Sequence, residues 1–215
     1  MEPHYNHQLQ TVLAESGYLP NDDQFFSVQE LKALGFKYVG DRVKISSKCS
    51  FYSIEGSIGD NVRIDDFCIL KGKIEIGSNV HICAYSMISG AQDVVKLKDF
   101  CVLAARCSIY TGSNDHSADA LPAPLAPKEY TKQRFGPVAI GMGVMVGAHV
   151  VILPGVTLGS GSSVGAGCVV SNSLADGEML RAPKSIVAKR KRNGERIKDF
   201  AVRVLENIQP HYSDH

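Results

Sequence analysis

Between Val39 and Val170 apolar and polar positions recur in blocks of six. An aliphatic residue opens each block, Gly, Ala, Ser or Asp usually follows, and a small or β-branched residue stands four places after the opener. The clearest blocks open at Val39, Ile58, Ile76, Val146, Leu158 and Val164, with Val43, Val62, Val80, Val150, Ser162 and Cys168 at their fourth places. Blocks opening at Ile45, Ile64, Ile82, Leu97, Leu103, Ile140 and Ile152 are looser but stay in phase. A fixed short period indicates a solenoid, in which each repeat stacks on its neighbours to build one continuous core. Six residues match neither the period of a helix nor that of an extended strand. They suit a short strand and a tight corner, where the residue after the aliphatic one must be small.

Single-residue slips near Ser57 and between Lys71 and Glu75, and a longer one from Ala91 to Lys96, predict insertions at corners. From Ser113 to Pro137 the period is lost, and Pro122, Pro124, Pro127 and Pro137 crowd that segment. Long irregular segments inside a compact domain are usually functional. Residues 6–15 and 27–34 read as short helices. Ser27 and Glu30 form the pattern of a capping box, and Gly35 is placed to stop the second helix. Residues 195–208 space Ile197, Phe200, Ala201, Val204, Leu205 and Ile208 as an amphipathic helix. The expected organisation is a helical segment over 1–38, a coil over 39–180 with its loop at 113–137, and a tail with a helix over 181–215.

Composition narrows the class. The 215 residues carry a formal charge of +1 and no tryptophan, which gives no support for a nucleic-acid or membrane-surface protein. No apolar stretch approaches the ~18 residues of a transmembrane helix. The first residues lack the basic flank and apolar run of a signal peptide, so a cytoplasmic location is expected. Cys49, Cys68, Cys101, Cys107 and Cys168 all stand four places after an aliphatic opener, and Cys83 takes the small-residue place after Ile82. No Cys-x-x-Cys spacing occurs, so the six thiols are expected to act as small buried hydrophobes rather than as a disulfide framework or zinc site.

The repeat resembles the hexapeptide-repeat acyltransferases. The segments Gly35–Gly40, Ile58–Phe67 and Gly147–Gly159 are similar to a subgroup that works on bacterial surface sugars, comprising N-acyltransferases of nucleotide-linked aminodeoxyhexoses and related sugar O-acetyltransferases. The resemblance implies a mainly β fold, a left-handed parallel β-helix. It also implies acetyl-CoA as cosubstrate, no resident metal, a small-molecule sugar acceptor, and a homotrimer with active sites between adjacent subunits.

Site residues follow by position. Acyl transfer needs a group to take the nucleophile's proton and donors for the tetrahedral oxyanion. His116, at the entry to the irregular segment, corresponds to the family's loop histidine and is the candidate base, with Asp115 or Asn114 to orient it. In the aminosugar N-acyltransferases an Asp-Asp-aromatic run occupies this place, so Asp115 is the retained acid and His116 replaces an aromatic residue. His81, Tyr85 and Ser86 fall in a segment that lines the acceptor pocket in the family. Gly147, Ala148 and Ala166 align with its coenzyme ledge, where small side chains admit the pantetheine arm. Lys184, Lys189 and Arg190 are the cations for the coenzyme phosphates. The sequence departs from the pattern at Arg181-Ala-Pro-Lys-Ser185, and Met145 stands where several O-acetyltransferases carry tryptophan. Other expectations are sugar O-acetylation, a β-helix scaffold without catalysis, and a zinc-bridged anhydrase using His81, His116 and His149.

Overall fold

The computed structural model describes residues 24–182, except 115, 117–119, 122–124 and 126. A single α-helix among these residues, Val28–Ala33, precedes the coil. Ser27 caps it: its hydroxyl accepts from the Glu30 amide at 3.3 Å, and its own amide donates to Glu30 Oε2 at 2.7 Å. Gly35 then turns the chain at φ 118°, where a Cβ would lie 2.0 Å from the Ile54 carbonyl oxygen. Only glycine fits there.

From Phe36 the chain winds into a parallel β-solenoid of about seven turns, the architecture of the left-handed β-helices. The first strand, Phe36–Val39, pairs with the far end of Ser50–Ile58, so the coil starts a few residues before the periodic pattern does. One face stacks the two-residue strands Lys44–Ile45, Arg63–Ile64, His81–Ile82, Val102–Leu103, Met145–Val146, Ser163–Val164 and Met179–Leu180, all parallel. The other two faces are joined through long strands, Ser50–Ile58, Ile69–Ile76 and Met87–Leu97, that bend round a corner between them. The sequence slips show up at that corner: register shifts lie between Tyr52 and Glu55 and between Gly72 and Ile74. After Val170 the coil continues for part of a turn, where Leu174 bridges to Leu158 and Met179–Leu180 pairs with Ser163–Val164.

The openers Ile45, Ile64, Ile82, Leu103 and Val146 stack as one fully buried column inside the coil. Each such side chain removed from water contributes roughly 1.5–3 kcal/mol. The acidic or hydroxyl residue two places after the opener at one corner also has a role. Asp60, Ser78, Asp99 and Asp176 each accept from the backbone amide of Asp41, Asp60, Ser78 and Ser160 one turn away, at 2.7–3.0 Å. This ladder satisfies amides that the corner turns away from the sheet.

Five of the cysteines are buried as expected, and their thiols are free. Cys101 and Cys107 donate to the carbonyls of Gly141 and Gly147 at 3.0 and 3.1 Å, and burial pushes both thiols up. Cys83 differs: it is half-buried, at the solvent edge of a corner. The helices expected at 6–15 and 195–208 lie outside the described residues.

Candidate functional site

The irregular segment leaves the coil as a hairpin, with Gly112–Asn114 antiparallel to Gln133–Phe135. Its root is fixed by Thr111, which is fully buried: the hydroxyl donates to the Ser89 carbonyl at 3.0 Å and accepts from the Asp93 amide at 3.2 Å. Between hairpin and coil lies a cleft of about 660 Å³ lined by Ser113, Asn114, His116, Arg134, Phe135, Leu153, Pro154 and Ser171. A second hollow of about 450 Å³ shares Ser113, Asn114, His116 and Phe135 and adds Gln92 and Gln133. Asn114 Oδ1 accepts from Gln133 Nε2 at 3.0 Å. His116 is exposed, with Nε2 3.4 Å from the Ser113 hydroxyl. Asp115 lies outside the described residues.

A different corner of the coil holds the other expected residues. Backbone bonds fix its register: the amides of Tyr85, Arg106, His149 and Gly167 donate to the carbonyls of Asp66, Ala84, Ala105 and Ala148. Ascending turn by turn, the corner therefore reads Asp65-Asp66-Phe67, Cys83-Ala84-Tyr85, Ala104-Ala105-Arg106, Gly147-Ala148-His149 and Gly165-Ala166-Gly167. At the first two places of the upper turns lie only glycine and alanine, a bare track flanked by Arg106 and His149 at the third place. Gly147 is demanded by the coil itself, since a Cβ there would stand 2.5 Å from the Ala166 amide nitrogen. Along the same track Ala148 is half-buried and Ala166 exposed.

At the lower end the track meets polar groups. His81 Nε2 lies 2.9 Å from Asp65 Oδ2, and Arg63 Nε donates to the other oxygen, Oδ1, at 2.7 Å. Cys83 Sγ stands 3.8 and 3.9 Å from the two imidazole nitrogens. Burial first, and the Asp65 carboxylate next, hold that thiol above its ordinary range. Ligand atoms of Asp65, His81 and Cys83 all lie within 4.8 Å of one another, the one such group of metal-capable side chains among the described residues. His116 stands on the hairpin, apart from the corner that carries His81 and His149.

Ser86 requires a correction. Expected to line the acceptor pocket, it is 1% exposed and points into the coil. Its hydroxyl accepts from the Cys107 amide at 3.3 Å and bonds the Ala104 carbonyl at 3.4 Å, so it closes a turn instead of facing a ligand. Tyr85 is exposed at the corner, stacked on Phe67. Lys184, Lys189 and Arg190 lie outside the described residues. Sequence reasoning missed Asp65, Arg134 and Phe135.

Three comparisons bear on this geometry. The sequence profile described as "Bacterial transferase hexapeptide (six repeats)" matches residues 56–90 and 137–172. A dTDP-4-amino-4,6-dideoxy-D-glucose acyltransferase from Escherichia coli is 43% identical over 145 residues, 66% of this chain and 75% of the relative. The structure of AntD, an N-acyltransferase from Bacillus cereus in complex with dTDP and 3-hydroxybutyryl-CoA, superimposes with a TM-score of 0.70. It is 38% identical, over 85% of this chain and 98% of that one. A mutant of the same enzyme in complex with dTDP-4-amino-4,6-dideoxyglucose and Coenzyme A gives a TM-score of 0.70 and 38% identity, over 87% and 100% of the two chains.

Proposed function

Because the chain belongs to the bacterial hexapeptide-repeat transferases, we propose that it transfers an acetyl group from acetyl-CoA to the amine of a nucleotide-linked aminodeoxy sugar. The reaction class is acyl transfer, as in its relatives. The observation that carries the acceptor is the 43% identity to an acyltransferase of dTDP-4-amino-4,6-dideoxy-D-glucose over three quarters of that enzyme. The glycine and alanine track supports the donor, because a pantetheine arm needs close approach to backbone. Ala148 and Ala166 are the residues that would meet it, above a Gly147 that the coil requires. Lys184, Lys189 and Arg190 are the cations proposed for the coenzyme phosphates.

The hairpin cleft and the track occupy different corners of one chain. That separation supports a homotrimer in which the cleft of one copy, with Asn114, His116 and Arg134, faces the track of the next. The amine attacks the thioester carbonyl carbon, the carbon–sulfur bond breaks, and coenzyme A leaves as the thiol. A cytoplasmic site of action fits the two soluble substrates. Among the described residues no helix is long and apolar enough to cross a membrane.

Thiol release is the test. The purified chain with acetyl-CoA and dTDP-4-amino-4,6-dideoxyglucose is expected to liberate coenzyme A in step with N-acetylated sugar seen by mass spectrometry. Turnover with hydroxyl sugars alone would assign O-acetylation instead, and no turnover with either acceptor would overturn the acyltransferase assignment.

A further inference from the structure

His81 is the histidine paired with a carboxylate among the described residues. Its ring is set by contacts on more than one side. Asp65 Oδ2 receives Nε2 at 2.9 Å, while Arg63 holds the opposite carboxylate oxygen at 2.7 Å and so fixes Asp65 in turn. Arg63 and Asp65 are the charged groups facing the ring from the turn below. The partner on the turn above is Val102, which does not titrate, and Cys83 is the titratable neighbour on its own turn. A carboxylate accepting from Nε2–H leaves the Nδ1 lone pair, 3.9 Å from the Cys83 sulfur, to take a proton. This is the arrangement of an oriented general base. His116, by contrast, touches Ser113 at 3.4 Å.

Position along the corner matters as much. From Gly165-Ala166 down through Gly147-Ala148 and Ala104-Ala105 the first two places of the corner carry no bulky side chain, His149 and Arg106 standing at the third, and the next turn down is Cys83-Ala84, beside His81. Three steps of about 4.8 Å give a track of roughly 14 Å. An acyl-pantetheine arm laid on it from above ends its run where the side chains begin, at His81.

We infer that His81, oriented by Asp65, is the proton acceptor for the attacking amine. The inference rests on the acyl-transfer function proposed above. As the carbon–nitrogen bond forms, the amine proton passes to His81 Nδ1. The imidazolium is stabilised by Asp65, and the proton then goes to the departing coenzyme A thiolate, so the histidine ends the cycle neutral.

The experiment compares wild type with His81→Asn, Asp65→Asn and His116→Asn, each checked for a native thermal melt. Steady-state rates are measured from pH 5.5 to 9. His81→Asn is expected to lower kcat by about 10²-fold or more, the range of a positioned base, with KM for acetyl-CoA unchanged and the acidic limb of the kcat/KM profile removed. Asp65→Asn is expected to lower kcat and shift that limb, and His116→Asn to leave it in place. Wild-type kcat and pH profile in His81→Asn would overturn the inference. A second readout does not need turnover. Nitrogen NMR of the His81 ring is expected to show the Nε2–H tautomer in wild type and a changed tautomer balance in Asp65→Asn. A fixed Nδ1–H tautomer overturns the inference even if every acceptor tried proves inactive. One tightly held zinc per chain, lost in Cys83→Ser, would also overturn it and make the cluster a metal site.

Discussion

Phe67 and Tyr85, one turn apart on the same corner, stack with ring centroids 5.0 Å apart and planes 26° from parallel. Both hold left-handed backbone, at φ 60° and 61°. Lys48 and Arg106 extend the column, at 5.7 Å from the Phe67 ring and 5.4 Å from the Tyr85 ring. Left-handed backbone costs a bulky residue about 1–3 kcal/mol, whereas an aromatic pair contributes roughly 0.5–1.5 kcal/mol. Stability alone therefore does not account for two half-exposed rings at this place.

Tyr85→Asn tests that balance, because asparagine tolerates the left-handed region. The melting temperature is expected to move by no more than about 4 °C, the worth of ~1 kcal/mol. KM for the nucleotide sugar is expected to rise about tenfold, which corresponds to roughly 1.4 kcal/mol of lost contact. A large drop in melting temperature with an unchanged KM would make the ring structural.

Ser162 occupies the column of fourth places that holds Val62, Val80, Cys101 and Val144, and its buried hydroxyl has no hydrogen-bond partner. An unsatisfied buried polar group costs about 1–3 kcal/mol. Ser162→Val restores the residue type of that column and is expected to stabilise the chain by about 1 kcal/mol or more. Urea unfolding reads the change as a higher midpoint at constant m; a lower midpoint would show the site too small for valine.

Gly147 and Gly165 stand on successive turns of the track with different clearances. A Cβ on Gly147 would lie 2.5 Å from the Ala166 amide nitrogen, while one on Gly165 meets the Leu180 carbonyl at 3.3 Å. Gly147→Ala is expected to destabilise by about 1–3 kcal/mol, the usual cost of overpacking. Gly165→Ala should cost less than half as much. Equal effects in denaturant titrations would show that the coil does not decide the smallness of Gly147.

Cys83 is half-buried, and Cys49, Cys68, Cys101, Cys107 and Cys168 are buried. Alkylation followed by peptide mass spectrometry is expected to label Cys83 first among these six. Its thiol is raised by burial and by Asp65, so the reactive thiolate is scarce at pH 7. The rate should climb only above the ordinary thiol value of about 8.5. Saturating coenzyme A is expected to slow labelling, and no protection would place the arm elsewhere.

Asp66 is held below the ordinary carboxylate range by Lys48, at 2.7 Å, and then by the Ser46 hydroxyl. Its folded value being depressed, the stability it brings is present above the unfolded value of about 3.9 and fades as pH falls through the lower folded value. The pair is solvent-exposed, so Asp66→Asn should cost less than about 1 kcal/mol at pH 7. The difference from wild type should shrink towards pH 3 in acid titrations; a difference that grows would give Asp66 the opposite sign.

Local features were legible in the order of residues. The capping box at Ser27 and Glu30 needs only residues three apart, and the burial of Cys68 and Cys107 follows from their place in the hexapeptide. By the same rule Ser86, four places after Ile82, belongs inside, so the signal that corrects its assignment was present in the repeat. Asp65 was not legible as the partner of His81, because sixteen residues separate them and the corner insertions make the length of each turn irregular.

The six-residue recurrence thus determined by itself that this chain is a coil with an aliphatic core, since burying one column of openers and turning a tight corner are demands made within each block. Which side chains meet across turns was decided only by tertiary structure. Stacking brings residues a whole turn apart to within a hydrogen bond, and it is the register between turns, set by long-range strand pairing, that seats His81 on Asp65 at the foot of a bare track.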